Sequence, residues 1–201
     1  QEISIETEDT DAGNQSNLIV KLKDLNLGDL LPFFIKQPKL EGLANGNIYL
    51  RDFYGSFHAD ADIKAEQFRL DDDSVGVVNI KANYNKASGK AGYQILSDND
   101  HYNFSAEGFY LTKDSTGAPL HNTFHFHGTK INLLNEFLNG IFANVTGYAT
   151  GDLVWLGDFD SPQFTGKVLL KDAGLTVKYT QVRYTVDSAV FNFKEGYIPK
   201  E

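Results

Sequence analysis

One stretch of this chain is written twice, and that constrains its fold more than any other feature. Leu40-Glu41-Gly42-Leu43-Ala44-Asn45-Gly46-Asn47-Ile48-Tyr49-Leu50 returns as Val145-Thr146-Gly147-Tyr148-Ala149-Thr150-Gly151-Asp152-Leu153-Val154-Trp155, with Gly42 and Gly46 matched by Gly147 and Gly151 at a spacing of 105. Upstream, Leu25-Asn26-Leu27 leading to Phe33-Phe34 is answered by Ile131-Asn132-Leu133 leading to Phe137-Leu138, where the offset becomes 106 and one residue has been inserted or lost. A repeated unit of helix then strands predicts an elongated β architecture that grows by adding units. The corresponding division is 1–24 for N-terminal strands and a mobile loop, 25–129 for a first β unit, and 130–201 for a second.

Within the units the hydrophobic period is two. Phe57, Ala59, Ala61 and Ile63 alternate with His58, Asp60, Asp62 and Lys64. Val78, Ile80, Ala82 and Tyr84 share a face, with Asn79, Lys81 and Asn83 on the other, and Tyr102, Phe104 and Ala106 alternate with Asn103, Ser105 and Glu107. One apolar and one polar face per segment is the pattern of an antiparallel sheet solvated on one side. Strands are also expected at Ile3–Glu6, at Leu18–Lys23, and from Gly151 through Phe193, with polar turns at 71–73, 97–100, 113–119 and 158–161. The period changes in two places. Leu27, Leu30, Leu31 and Phe34 predict a short helix capped by Asn26 and made irregular by Pro32, and Leu133, Leu134, Phe137, Leu138 and Ile141 predict a second over 132–142.

Composition fits this class. The aromatics are dominated by 15 Phe and 10 Tyr, which favour pleated, half-buried surfaces, and 18 Gly against 5 Pro make glycine the main punctuation. A net charge of −9 argues against nucleic acid as a partner and against electrostatic docking on an anionic membrane. With no cysteine there is no disulfide, thiolate metal site or cysteine nucleophile. The lack of methionine, even at position 1, points to an excised piece or a processed form. No run approaches the roughly 20 apolar residues of a membrane span, so any targeting signal or anchor is expected outside these residues.

Few residues suggest chemistry. His125 and His127 alternate with Phe124 and Phe126, so both imidazoles share one strand face, the beginning of a zinc site that would need a third ligand. If the two phenylalanines face the core, both imidazoles stand in solvent, and periodicity alone accounts for the pattern. Asp71-Asp72-Asp73 lacks the glycine and distal glutamate of a calcium loop and reads as a solvated turn. There is no Gly-x-Ser-x-Gly elbow, phosphate loop or dinucleotide fingerprint, and no cofactor is expected. The aromatics fill an ordinary core or, if a single sheet curls, line a groove for acyl chains.

The glycine-spaced segment from Val145 through Trp155, continued by Leu156-Gly157-Asp158-Phe159-Asp160-Ser161-Pro162-Gln163-Phe164-Thr165-Gly166, resembles the repeat of TamB-type translocation and assembly module proteins. Lys171-Asp172-Ala173-Gly174-Leu175-Thr176-Val177-Lys178-Tyr179 and Val182-Arg183-Tyr184 are similar to the C-terminal region of that family, and 25–110 resemble a diverged AsmA-like unit. The resemblance implies an elongated, curled, antiparallel-rich sheet, a β-taco or open barrel-like form with two short amphipathic helices and a hydrophobic inner groove. It implies the periplasmic portion of an inner-membrane-anchored envelope protein of Gram-negative bacteria, without catalytic residues. Such proteins are associated with lipid movement between the two membranes and with outer-membrane protein assembly. The implied partners are phospholipid acyl chains and an outer-membrane assembly protein. The expected groove lining is Ile48, Leu50, Phe57, Ile63, Ile80, Phe104, Leu153, Trp155, Val168 and Leu170. Two other readings compete: open sheet edges that accept client strands by β-augmentation, and a metal- or carboxylate-dependent hydrolase using His125 and His127. Exposed apolar edges would also favour dimerisation of the isolated piece.

Overall fold

The computed structural model describes residues 1–7, 17–33, 39–71, 73–114, 118–135, 142–158 and 162–194. They form a single eleven-stranded antiparallel meander, in which each strand pairs with the next in sequence and the sheet does not close. The strands are β1 (Glu2–Thr7), β2 (Leu18–Asn26), β3 (Leu40–Arg51), β4 (His58–Leu70), β5 (Asp73–Asn85), β6 (Lys90–Asn99), β7 (Tyr102–Leu111), β8 (Leu120–Lys130), β9 (Phe142–Gly157), β10 (Pro162–Val177) and β11 (Val182–Phe193). The sheet runs unbroken through residue 130, since β8 pairs with β9 from Leu120↔Gly157 to Lys130↔Tyr148.

The repeat is visible in the backbone. Gly46 and Gly151 have φ of 150° and 135°, and an added Cβ would stand 2.1 Å from the carbonyl oxygens of Asp62 and Lys167 respectively. Those two partners are themselves 105 residues apart. Gly42 and Gly147 likewise press on the Glu66 and Lys171 carbonyls, and the left-handed residues Gln67 (φ 52°) and Asp172 (φ 49°) keep the same offset. β3–β4 and β9–β10 are thus two copies of one strand pair.

The same left-handed residues explain why the sheet curls. Register shifts occur between Leu22 and Leu25, Glu41 and Leu43, Ala65 and Phe68, His127 and Thr129, and Lys171 and Gly174. All lie at the end of the sheet that carries the β2–β3 and β8–β9 connections. A bulge bends its strand and raises the local twist, so a band of bulges folds that end of the sheet over. The core sits there: Ala65, Val75, Val78 and Tyr102 form one buried cluster, and Ile131, Val145, Ala149 and Val168 a second.

The two connections cover this end. Asn26 caps the one-turn helix α1 (Leu27–Leu30), accepting from the Gly28 amide at 3.0 Å, and a 3-10 turn over Leu31–Phe33 follows. The expected first helix is therefore a single α turn. The second begins as a 3-10 turn at Asn132–Leu134, and 136–141 lie outside the described residues, as do Phe34, Asp72 and the polar loop 8–16. Leu27 and Leu133 both pack on the cluster around Ala65. Strand β9 starts at Phe142 rather than at the predicted Gly151, because the left-handed Asn144 (φ 54°) and Gly147 interrupt the alternation that would have revealed it.

A polar clasp fixes the closed end. The Tyr102 hydroxyl donates to Asp73 Oδ1 at 2.9 Å, and the Asn132 amide donates to the same carboxylate and, at 3.2 Å, to the Tyr102 oxygen. The turn after β8 thereby reaches β5, three strands and roughly 14 Å away in a flat sheet. Burial, with Asp73 beside it, pushes the Tyr102 phenol up to about 12 from its ordinary 10. The folded chain holds that proton more tightly than the unfolded chain. Stability is therefore level below about pH 10 and falls as pH rises towards 12. Urea titrations across this window are expected to show the decline in the native chain and a flatter curve for Tyr102→Phe.

Candidate functional site

Reading directly across the strands, Ile3, Leu22, Gly46, Ile63, Ile80, Ile95, Ala106, Phe124, Leu153, Gly166 and Phe193 form one line of neighbours that crosses the whole sheet. Beside it runs a second line through Ile5, Val20, Ile48, Ala61, Ala82, Tyr93, Gly108, Asn122, Trp155 and Phe164. Directly opposed residues in an antiparallel pair point to the same side, so these lines are stripes on one face. The other face carries Lys64, Asn79, Leu96, Ser105, His125, Asp152, Lys167 and Asn192 in the same register.

Nine of the ten residues expected to line a groove stand on strands of this apolar face: Ile48, Leu50, Ile63, Ile80, Phe104, Leu153, Trp155, Val168 and Leu170. The tenth, Phe57, lies just before β4, its ring 5.3 Å from Phe53 and 6.2 Å from Tyr84 at the unbulged end. Val168 is buried in the second core, while the other nine are half-buried. The apolar face is thus packed at the bulged end and only partly covered along the rest, which makes an open trough. Its apolar residues become exposed at both edges, with Ile3 at 52%, Ile5 at 65% and Phe191 at 46%.

The trough also holds polar groups that periodicity did not flag. Asn122 stands between Gly108 and Trp155, buried, and its Oδ1 accepts from the Tyr93 hydroxyl at 2.7 Å. Burial raises the Tyr93 pKa. This contact spans an intervening strand because Gly108 has no side chain. A Cβ there would stand 2.2 Å from Asn122 Oδ1. Only the register reveals the arrangement, since Tyr93 and Asn122 are 29 residues apart.

The histidines lie on the polar face. His125 Nδ1 is 2.6 Å from Asp152 Oδ1, with side-chain exposures of 39% and 69%, and His127 is exposed. His121 stacks on Phe109, with centroids 5.3 Å apart. Ser105 is directly opposite His125, but no hydrogen bond joins the two side chains among the described residues. No group of three or more His, Cys, Asp or Glu side chains is placed to hold a metal among those residues. An exposed ion pair contributes at most about 1 kcal/mol. His125→Ala is accordingly expected to shift the urea midpoint only slightly.

No helix among the described residues is long and apolar enough to cross a membrane. No family model, curated protein or solved structure matches this chain.

Proposed function

We propose that this chain is a non-enzymatic section of a TamB-like envelope protein whose trough shields phospholipid acyl chains. In that role it serves lipid movement between the inner and outer membranes and the assembly of the outer membrane. The reading rests on one observation: a single sheet keeps an apolar stripe in register across every strand and leaves most of that stripe half-buried. A soluble β domain ordinarily covers such a face with a second layer. An acyl chain supplies that cover, each buried methylene contributing about 0.8 kcal/mol. The gain is spread evenly along the stripe, so no position traps the chain strongly. The protein that carries this section would be anchored in the inner membrane and reach into the periplasm.

Native mass spectrometry of the purified chain, followed by lipid extraction, tests this reading. Co-purifying phospholipid that is absent from a folded Phe104→Glu variant supports it. A lipid-free chain that takes up no added phospholipid sinks it. A second reading is favoured by β11, whose edge away from β10 carries no strand among the described residues. Such an edge can take up a client strand during outer-membrane protein assembly.

A further inference from the structure

One side chain on the apolar face does not suit a track for hydrocarbon alone. Asn122 is the one amide on the two stripes, and it is just 4% exposed. Its companions on that face, Leu120 and Phe124 along β8 and Ala106, Tyr110 and Leu153 diagonally across, carry no charge. No register shift interrupts β6, β7 and β8, and the hydrogen bond from Tyr93 shows independently that Tyr93 and Asn122 share a face.

An asparagine side chain offers two N–H donors and one carbonyl oxygen. Here the oxygen is committed. Oδ1 leans over Gly108, where an added Cβ would stand 2.2 Å from it, and accepts from the Tyr93 hydroxyl at 2.7 Å. The nitrogen points away from that contact and has no hydrogen-bond partner among the described residues. Nor is it sealed beneath its neighbours, so it opens onto the trough. Hydrocarbon laid over this position would strip water from both N–H groups and return nothing, which is unfavourable. Whatever covers Asn122 must therefore bring an acceptor. With no cation beside it, an ionised carboxylate is poorly matched, whereas a neutral carbonyl fits.

We infer that Asn122, braced by Tyr93, receives an ester carbonyl of a diacyl phospholipid and so fixes where the glycerol backbone sits along the trough. The inference rests on the reading of the trough as a lipid site. The small exposed part of Asn122 admits an oxygen atom and not a headgroup, which stays in water at the open mouth. A donor placed for a carbonyl discriminates against a similar ligand that lacks one. Phospholipids with ether-linked chains are such ligands.

Vesicles of ester-linked and ether-linked phosphatidylcholine, equal in amount and chain length, provide the test. The chain is incubated with them and re-isolated, and its bound lipid is extracted and weighed by mass spectrometry. The native chain is expected to hold the ester form in about threefold to tenfold excess, the worth of one neutral hydrogen bond. Asn122→Leu combined with Tyr93→Phe, which leaves no orphaned hydroxyl, should hold both forms equally. In the native complex, the infrared band of an isotope-labelled ester carbonyl should also lie at lower frequency than in a dry apolar solvent. Equal amounts of the two lipids on the native chain overturn the inference and leave the trough reading standing. So does an unshifted carbonyl band, or an ester preference that survives in the double variant. A native chain that takes up neither lipid overturns both.

Discussion

Gly151→Ala is expected to destabilise the fold by about 3 kcal/mol, and Gly46→Ala by a similar amount. Two costs combine at each site. The backbone lies at φ 135° and 150°, where an L side chain is strained, and the new Cβ would stand 2.1 Å from a carbonyl oxygen of the neighbouring strand. Backbone cannot yield as a flexible side chain would, so the strands must separate and lose ladder hydrogen bonds. Gly128 supplies the control. Its φ is 67°, but nothing lies within 4 Å of an added Cβ, so Gly128→Ala should cost only about 1–2 kcal/mol from the left-handed conformation. Urea midpoints of the three variants measure the difference. Equal midpoints would mean that the close strand approach is not what these glycines provide.

Ile80→Glu is expected to lower phospholipid occupancy at least about tenfold, corresponding to about 1.4 kcal/mol, while leaving the chain folded. Ile80 lies near the middle of the stripe between Ile63 and Ile95 and is only half-buried, so a glutamate there can reach water along the open face. An acyl chain laid over it would strip that water from the carboxylate, which is far more costly than losing apolar contact alone. Lys64→Glu, on the opposite face, changes charge by more and should leave occupancy unchanged. Extracted lipid per chain, with circular dichroism as the folding control, separates the two variants. Equal loss from both would point to net charge rather than the trough.

Side-chain alternation made much of the fold legible. The faces of β4, β5 and β7 follow from Ala61 and Ile63, Val78 and Ile80, and Phe104 and Ala106, because a solvated sheet imposes a strict period of two. The glycine pairs at 42 and 46 and at 147 and 151 marked the repeat because the backbone there has room for no other residue. What escaped the sequence was every feature that breaks the period. Asp24, Gln67, Asn144 and Asp172 take left-handed conformations inside strands, and such bulges have no periodic signature. They concealed the start of β9 and the bend that creates the closed end. The first helix keeps the Asn26 cap and the irregular end that Pro32 predicts, and Leu27 and Leu133 both pack into one core. The trough residues could be chosen as a face, but not as neighbours. That Asn122 would sit beside Trp155, or that Asn132 would reach Asp73, depends on register and curl.

Trp155 is the only tryptophan and stands on the apolar face beside Phe164, with ring centroids 5.8 Å apart. It is a built-in reporter of what enters the trough. The most direct test is its fluorescence during titration with phospholipid brominated along the acyl chains, against the same lipid without bromine. Acyl chains in the trough come into contact with the indole, so the brominated lipid should quench it saturably, and Ile80→Glu should remove the quenching without unfolding the chain. Fluorescence unchanged by saturating brominated lipid, in a chain that remains folded, would contradict the account.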